Sequence, residues 1–192
     1  MIICEFAAHS LQSREEIEMD ELRYPIGRFV PADGSTVDQR EEWLQTILAL
    51  PQALREAIHG LTAEQLATPY RPGGWTVQQV VHHLADNDVH AYVRFKRALT
   101  EEDPNAGTYR QDLWAELSDS RETPAETSIL LLEALRTRFA ILVRQLKPVD
   151  LARTFVSPTH GRVTLERAIQ MFAWHGRHHL AQITGLRARM GW

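Results

Sequence analysis

Apolar residues recur at helical spacing in four long stretches of this chain, and each stretch is bounded by residues that start or stop a helix. The first opens at Thr36, a fitting N-cap, and carries Trp43, Ile47, Leu48, Leu54 and Ile58 to a stop at Gly60, with Pro51 as a kink or restart. The second follows the Arg-Pro-Gly-Gly turn at 71–74 and runs to about Leu99. Its Thr76 and Gln79 have capping-box spacing, in which each side chain satisfies a free backbone N–H of the first turn. The third starts at Thr123-Pro124-Ala125-Glu126, read as an N-cap, a proline at the first helical position and an acidic third residue, and carries Leu131, Leu132, Leu135, Phe139, Leu142 and Leu146. Pro148 lies just past its end, and the fourth stretch runs from about Thr164 to Met190.

The segments between are short on periodicity. Pro25, Gly27 and the run 31–34 predict an extended strap, not a helix. Residues 100–122 form a long connection with one short helical candidate over Asp112–Leu117; it holds Tyr109 and Trp114 and is of the length used to cover functional sites. Thr154-Phe-Val and Arg162-Val-Thr flank a turn and predict a small hairpin. Residues 1–18 read as an N-terminal extension, an upstream-start artefact if Met19 is the true first residue, and 19–192 as a single domain. The expected fold is all-α, an up-and-down four-helix bundle with short extra helices and a hairpin.

Several function classes are disfavoured. Cys4 is the one cysteine, which excludes an intrachain disulfide and a Cys-rich metal cluster and points to a reducing compartment. No apolar run has the length of a membrane span and the N-terminus lacks the order of a secretory signal, so the expected location is cytoplasmic, with no membrane partner. A net charge of -4 argues against a nucleic-acid partner.

Histidine is the outlier: of nine, five fall in two groups, His82-His83 and His175-Gly-Arg-His178-His179. On a helical wheel His175 and His179 lie within the apolar stripe of the last helix, one turn apart, and His178 outside it. His83 borders the stripe of the second helix, in one row with Asn87, His90 and Arg94, while His82 points more nearly to solvent. Imidazoles at i and i+4 can share one ion with a third from a facing helix, and Gly176 lets that neighbour approach. The spacing arises easily by chance in so His-rich a chain; the shared inward face, where three unpaired imidazoles would be costly, is the stronger signal. His9, His59, His82, His90, His160 and His178 are read as ordinary surface or hydrogen-bonded residues. Trp75 and Trp174 sit beside the His-bearing stretches as packing residues.

From Leu22 to Trp192 the chain resembles the DinB-like four-helix metalloprotein superfamily, and within it the YfiT-type metal-dependent hydrolases, also grouped with bacillithiol S-transferases. The resemblance is carried by Leu-Arg-Tyr-Pro-Ile-Gly-Arg-Phe, by Tyr-Arg-Pro-Gly-Gly-Trp-Thr-Val-Gln-Gln-Val-Val-His-His-Leu-Ala-Asp, by Tyr-Val-Arg-Phe-Lys and by Trp-His-Gly-Arg-His-His-Leu-Ala-Gln-Ile. It implies metal ligands at His83, His175 and His179, a bundle, a homodimer, and zinc or nickel as the ion. Where relatives carry His-Pro-Glu before the last helix, this chain has Ser157-Pro158-Thr159.

Three imidazoles leave a four-coordinate ion one open position. One expectation is hydrolysis of a small molecule by activated water; the chain lacks the Glu of His-Glu-x-x-His metalloproteases, which disfavours peptidase activity. A second is transfer of a low-molecular-weight thiol, ionised at the open position. A third is a noncatalytic binding protein whose shell is closed by Asp86 or Asp88. Asn87 and Arg94 are candidates to orient a ligand or hold an anion, and Tyr109 to cover the mouth.

Overall fold

A computed structural model of the chain describes residues 16–192. Most of the 1–18 extension lies outside the described residues. Helix α1 covers 16–23, followed by an irregular strap to Ser35 that matches the extended reading of the Pro/Gly run. The long helices are α2 (Val37–Ile58), α4 (Val77–Thr100), α7 (Ala125–Arg144) and α9 (Leu165–Met190); α3 (Ala63–Leu66), α5 (Gln111–Trp114), α6 (Ser118–Glu122) and α8 (Pro148–Leu151) are single turns or little more. An antiparallel hairpin pairs β1 (Thr154–Ser157) with β2 (Gly161–Thr164).

The caps explain these boundaries. Thr36 and Thr76 both form complete capping boxes, with Gln39 and Gln79 returning to the cap N–H. Thr164 caps α9, and Gly191 ends it at φ 69°, a left-handed conformation that glycine adopts without Cβ strain. The start of α7 differs from expectation: Pro124 is the N-cap and no side chain caps it. The Thr123 carbonyl instead lies against His82 and accepts from the Gln78 amide, so the residue read as a cap serves α4. The helix expected over Asp112–Leu117 is shortened to α5, and α6 follows it as a separate turn.

The long helices make the four-helix bundle expected, with two core clusters: one around Phe95, Phe139 and Phe172, the other around Leu54, Leu84, Ile129 and Ile183. The chain path within the bundle departs from the up-and-down expectation. Helix α2 packs on α7 and α9, and α4 packs on the same two, so α2 and α4 face each other across the diagonal. Ser35 meets Glu166 at one end, and Arg187 donates to the Ala57 carbonyl at 2.7 Å at the other, so α2 and α9 run parallel. Gln78 meets Thr123, and Phe95 packs on Phe139, so α4 and α7 run parallel too. Arg55 with Glu126 and Arg144 with Glu41 set α2 antiparallel to α7.

Parallel neighbours need a return path as long as the bundle, and 101–124 provides it. It passes in order Arg97 (at Asn105), Arg94 (at Gly107), His90 and His83 (at Tyr109) and Gln79 (at Ala115). A connection that reads as irregular in sequence is thereby laid along α4, over the histidine row. No helix among the described residues is long and apolar enough to cross a membrane.

Candidate metal centre

The site lies where α4 and α9 cross antiparallel. His83 comes from the second turn of α4, and His175 and His179 from successive turns of α9. One nitrogen from each ring falls within 4.8 Å of the other two, the one such His/Cys/Asp/Glu group among the described residues. His175 Nε2 lies 3.4 Å from His83 Nε2 and 3.1 Å from His179 Nε2. Two nitrogens bound to one tetrahedral zinc at about 2.0–2.1 Å sit about 3.3–3.4 Å apart. The side chains therefore fit a single ion.

The outward nitrogens are engaged, and this decides the chemistry of the inward ones. Gln182 Nε2 donates to the Arg23 carbonyl at 2.9 Å, which turns its Oε1 toward His179 Nδ1 at 2.8 Å. An amide oxygen only accepts, so His179 carries its proton on Nδ1 and presents a lone pair at Nε2. Tyr109 Oη lies 3.3 Å from His83 Nδ1, and the Asn87 amide 3.4 Å from His175 Nδ1. The hydroxyl can donate or accept, and a half turn of the amide, whose nitrogen faces the ring, would offer its oxygen to Nδ1–H, so both contacts are compatible with the tautomer of His179. With all three rings in that tautomer, three lone pairs would converge on one point, an arrangement a cation satisfies and a proton cannot share three ways.

Protonation does not relieve the crowding. Burial pushes His83 down to about 4 and holds His175 and His179 well below the ordinary imidazole value, with the neighbouring rings adding to the effect. All three are neutral at pH 7. Burial, with Asp86 adding, pushes the Tyr109 phenol up, so it stays protonated.

Other expected residues are placed as follows. His82 does not face solvent: it is buried, with Nδ1 2.7 Å from Ser128 Oγ. His178 is likewise buried, stacked on Trp174 at 4.7 Å and 3.1 Å from Gln182 Nε2. Both wheels misled for one reason: α4 and α9 are covered on a second side, by 101–124 with α7 and by the N-terminal strap. Gly176 opens space toward α2 and α7, not toward α4; a Cβ there would lie 2.8 Å from Leu50 Cδ2 and 3.6 Å from the Arg136 guanidinium. Asp88 is taken by Arg136, at 2.6 Å, with both side chains 1 % exposed. Asp86 is absent from the His group, and burial, with Asp119 nearby, pushes its carboxyl up to about 6. No carboxylate thus closes the shell, as the noncatalytic reading required.

Trp75 packs 4.5 Å from the His83 ring, and Tyr109 stacks on His90 at 4.4 Å. Two cavities meet at His175. One, about 570 Å³, runs between α4 and α9 under Tyr109 and takes in Asn87 and Arg94. The other, about 490 Å³, opens between the strap and the 70–75 turn, beside Arg23 and Arg71. Among the described residues no Asp or Glu lines either. Exposed His160, in the hairpin turn, borders both, although the sequence marks it only as a turn residue. Gln182 also goes unmarked, yet its place three residues after His179 was a readable signal.

The fold and the histidine cluster together define a four-helix bundle carrying a candidate metal centre. The DinB superfamily model matches residues 38–183, and the chain belongs to that superfamily. It is 47 % identical over 174 residues to proteins of Bacillus mycoides strain KBAB4 and Bacillus cereus strain AH820, both provisionally named metal-dependent hydrolases, covering 91 % of this chain and 100 % of each of them. It is similar in structure to YfiT from Bacillus subtilis, described as a probable metal-dependent hydrolase with an unusual four-helix bundle topology: TM-score 0.87, 43 % identity, 90 % of this chain and 99 % of that one. A more distant likeness, TM-score 0.50 at 21 % identity over 80 % of this chain and 99 % of the other, is to the four-helix bundle protein TT2238 and concerns the fold alone.

Proposed function

We propose that the chain is a metal-dependent hydrolase of a small molecule, with His83, His175 and His179 holding one divalent ion, zinc first and nickel second. The observation that carries this reading is the set of three inward nitrogens with every outward nitrogen engaged. When bound, such an ion supplies Lewis-acid polarisation of an electrophile and a lowered pKa for water. The protein's own part is orientation: Gln182, Asn87 and Tyr109 hold the ring planes, Gln182 sets the tautomer of His179, and Trp75 screens His83 from water. The bare set of three also favours catalysis over a purely structural ion.

A second reading is transfer of a low-molecular-weight thiol, favoured by one observation: among the described residues no carboxylate lines the cavities to serve as a general base. The test is elemental analysis of the purified protein, followed by ester, amide and lactam hydrolysis and electrophile-dependent thiol consumption, with metal-loaded and chelator-treated protein. The expected result is about one ion per chain, lost in His83→Ala and His179→Ala, with turnover that needs metal but no thiol. Turnover only with thiol would move the assignment to transfer. Unchanged ion content in the His variants would end both readings.

A further inference from the structure

The 570 Å³ cavity beside His175 is built asymmetrically. Its walls are mostly apolar: Phe29, Phe95, Phe155, Met171 and Phe172 among them. Among the described residues Arg94 is the one Arg, Lys, Asp or Glu in the lining. Arg94 joins no ion pair among the described residues. One terminal nitrogen donates to the Gly107 carbonyl at 3.2 Å, while Nε is buried with no partner among the described residues. A guanidinium has five N–H donors and nothing to deprotonate to, so a half-buried one facing apolar walls is costly without an acceptor.

Asn87, which touches His175, is seven residues before Arg94 on α4. That is two helical turns, about 10 Å of rise. The matching stretch of α9 runs from Ala168 to His175 and lines the same cavity. We infer that Arg94 determines specificity: the substrate is a small amphipathic carboxylate whose anionic group pairs with Arg94, whose apolar body fills the phenylalanine-lined chamber, and whose reactive group reaches His175. The planar carboxylate suits the guanidinium fork, which pairs with it through two parallel hydrogen bonds. This rests on the metal reading only for which end of the chamber reacts.

The test compares 4-phenylbutyrate with its neutral isostere 4-phenylbutyramide, measured by calorimetry and by fluorescence of Trp174 in the cavity wall, on metal-loaded and metal-stripped protein. Wild type is expected to bind the acid at least about tenfold tighter than the amide in both forms, the strength of a hydrogen-bonded charge pair. Arg94→Gln removes the preference by weakening the acid far more than the amide, and Arg94→Lys keeps part of it. Equal binding of acid and amide by wild type, or no binding of the acid at millimolar concentration, overturns the inference without any variant. A preference that survives Arg94→Gln but vanishes with the metal places the carboxylate on the ion; this inference then fails and the metal reading stands. A preference that follows Arg94 in a protein that takes up no metal leaves the inference standing and removes the metal reading.

Discussion

Gln182 and His179 are joined at 2.8 Å, amide oxygen to ring Nδ1, and the same amide reaches the Arg23 carbonyl of the N-terminal strap at 2.9 Å. One side chain thus sets the tautomer of a proposed ligand and fastens the segment that walls the second cavity.

Replacing it tests that double role. Gln182→Leu keeps the volume and removes both bonds, and metal affinity is expected to fall about ten- to a hundredfold, the usual effect of losing a partner that orients a ligand. Competition with a chromogenic chelator measures it. An unchanged affinity would show that ring packing alone orients His179.

The buried pair of Asp88 and Arg136 links the four helices, since Arg136 also donates to the Ile47 carbonyl of α2 and lies 4.9 Å above the Phe172 ring of α9. Asp88→Ala strands the guanidinium in the core, and urea unfolding should show a loss of about 3–5 kcal/mol. Asp88→Leu combined with Arg136→Met recovers part of this, because no charge is left unpaired, although the Ile47 carbonyl loses its donor. A single variant as stable as wild type would mean that water reaches Arg136.

Metal-free protein should be acid-labile in a defined window. The folded-state pKa values of His83, His175 and His179 are depressed, so the unfolded chain takes up protons that the folded one refuses. Stability is complete above the unfolded imidazole value near 6.5 and is lost as pH falls toward about 4. His83 alone accounts for about 3 kcal/mol over that range. Urea unfolding of chelator-treated protein at stepped pH measures the slope; a flat profile from pH 7 to pH 4, each about, would contradict the burial of these rings. Metal loading should move the loss to lower pH, because protons and the ion compete for the same nitrogens.

Gly176 gives a geometric test. Alanine gains about 1 kcal/mol of helix propensity, but its Cβ overlaps Leu50 in a packed core, which costs about 1–3 kcal/mol. Gly176→Ala should therefore be slightly destabilising, and Gly176→Val, which reaches toward Arg136 as well, clearly more so. Thermal unfolding of the two variants ranks them.

Much of this molecule is legible in the sequence where local chemistry decides the outcome. The capping boxes at Thr36 and Thr76, the glycine stop after α2, the hairpin and the extent of α9 all follow from residues within a turn of each boundary. The inward placement of His83, His175 and His179 follows from periodicity. Misreadings occur where a distant segment decides. His82 and His178 look solvent-facing on a wheel because the wheel supplies one buried side, whereas Ser128 on α7 and Tyr24 in the strap cover the other. The parallel pairing of α4 with α7 is invisible locally, since either direction buries the same stripe. Asp88 is illegible for the same reason: its partner Arg136 is 48 residues away.

The return path over 101–124 has an evolutionary corollary. It is a topological necessity of running α4 and α7 in one direction, yet it also roofs the chamber that ends at His175. Insertions, deletions or substitutions between Asn105 and Gln111 would therefore reshape what the chamber admits while the bundle's two cores stay as they are. A scaffold of this kind can change clientele by editing a single stretch of chain.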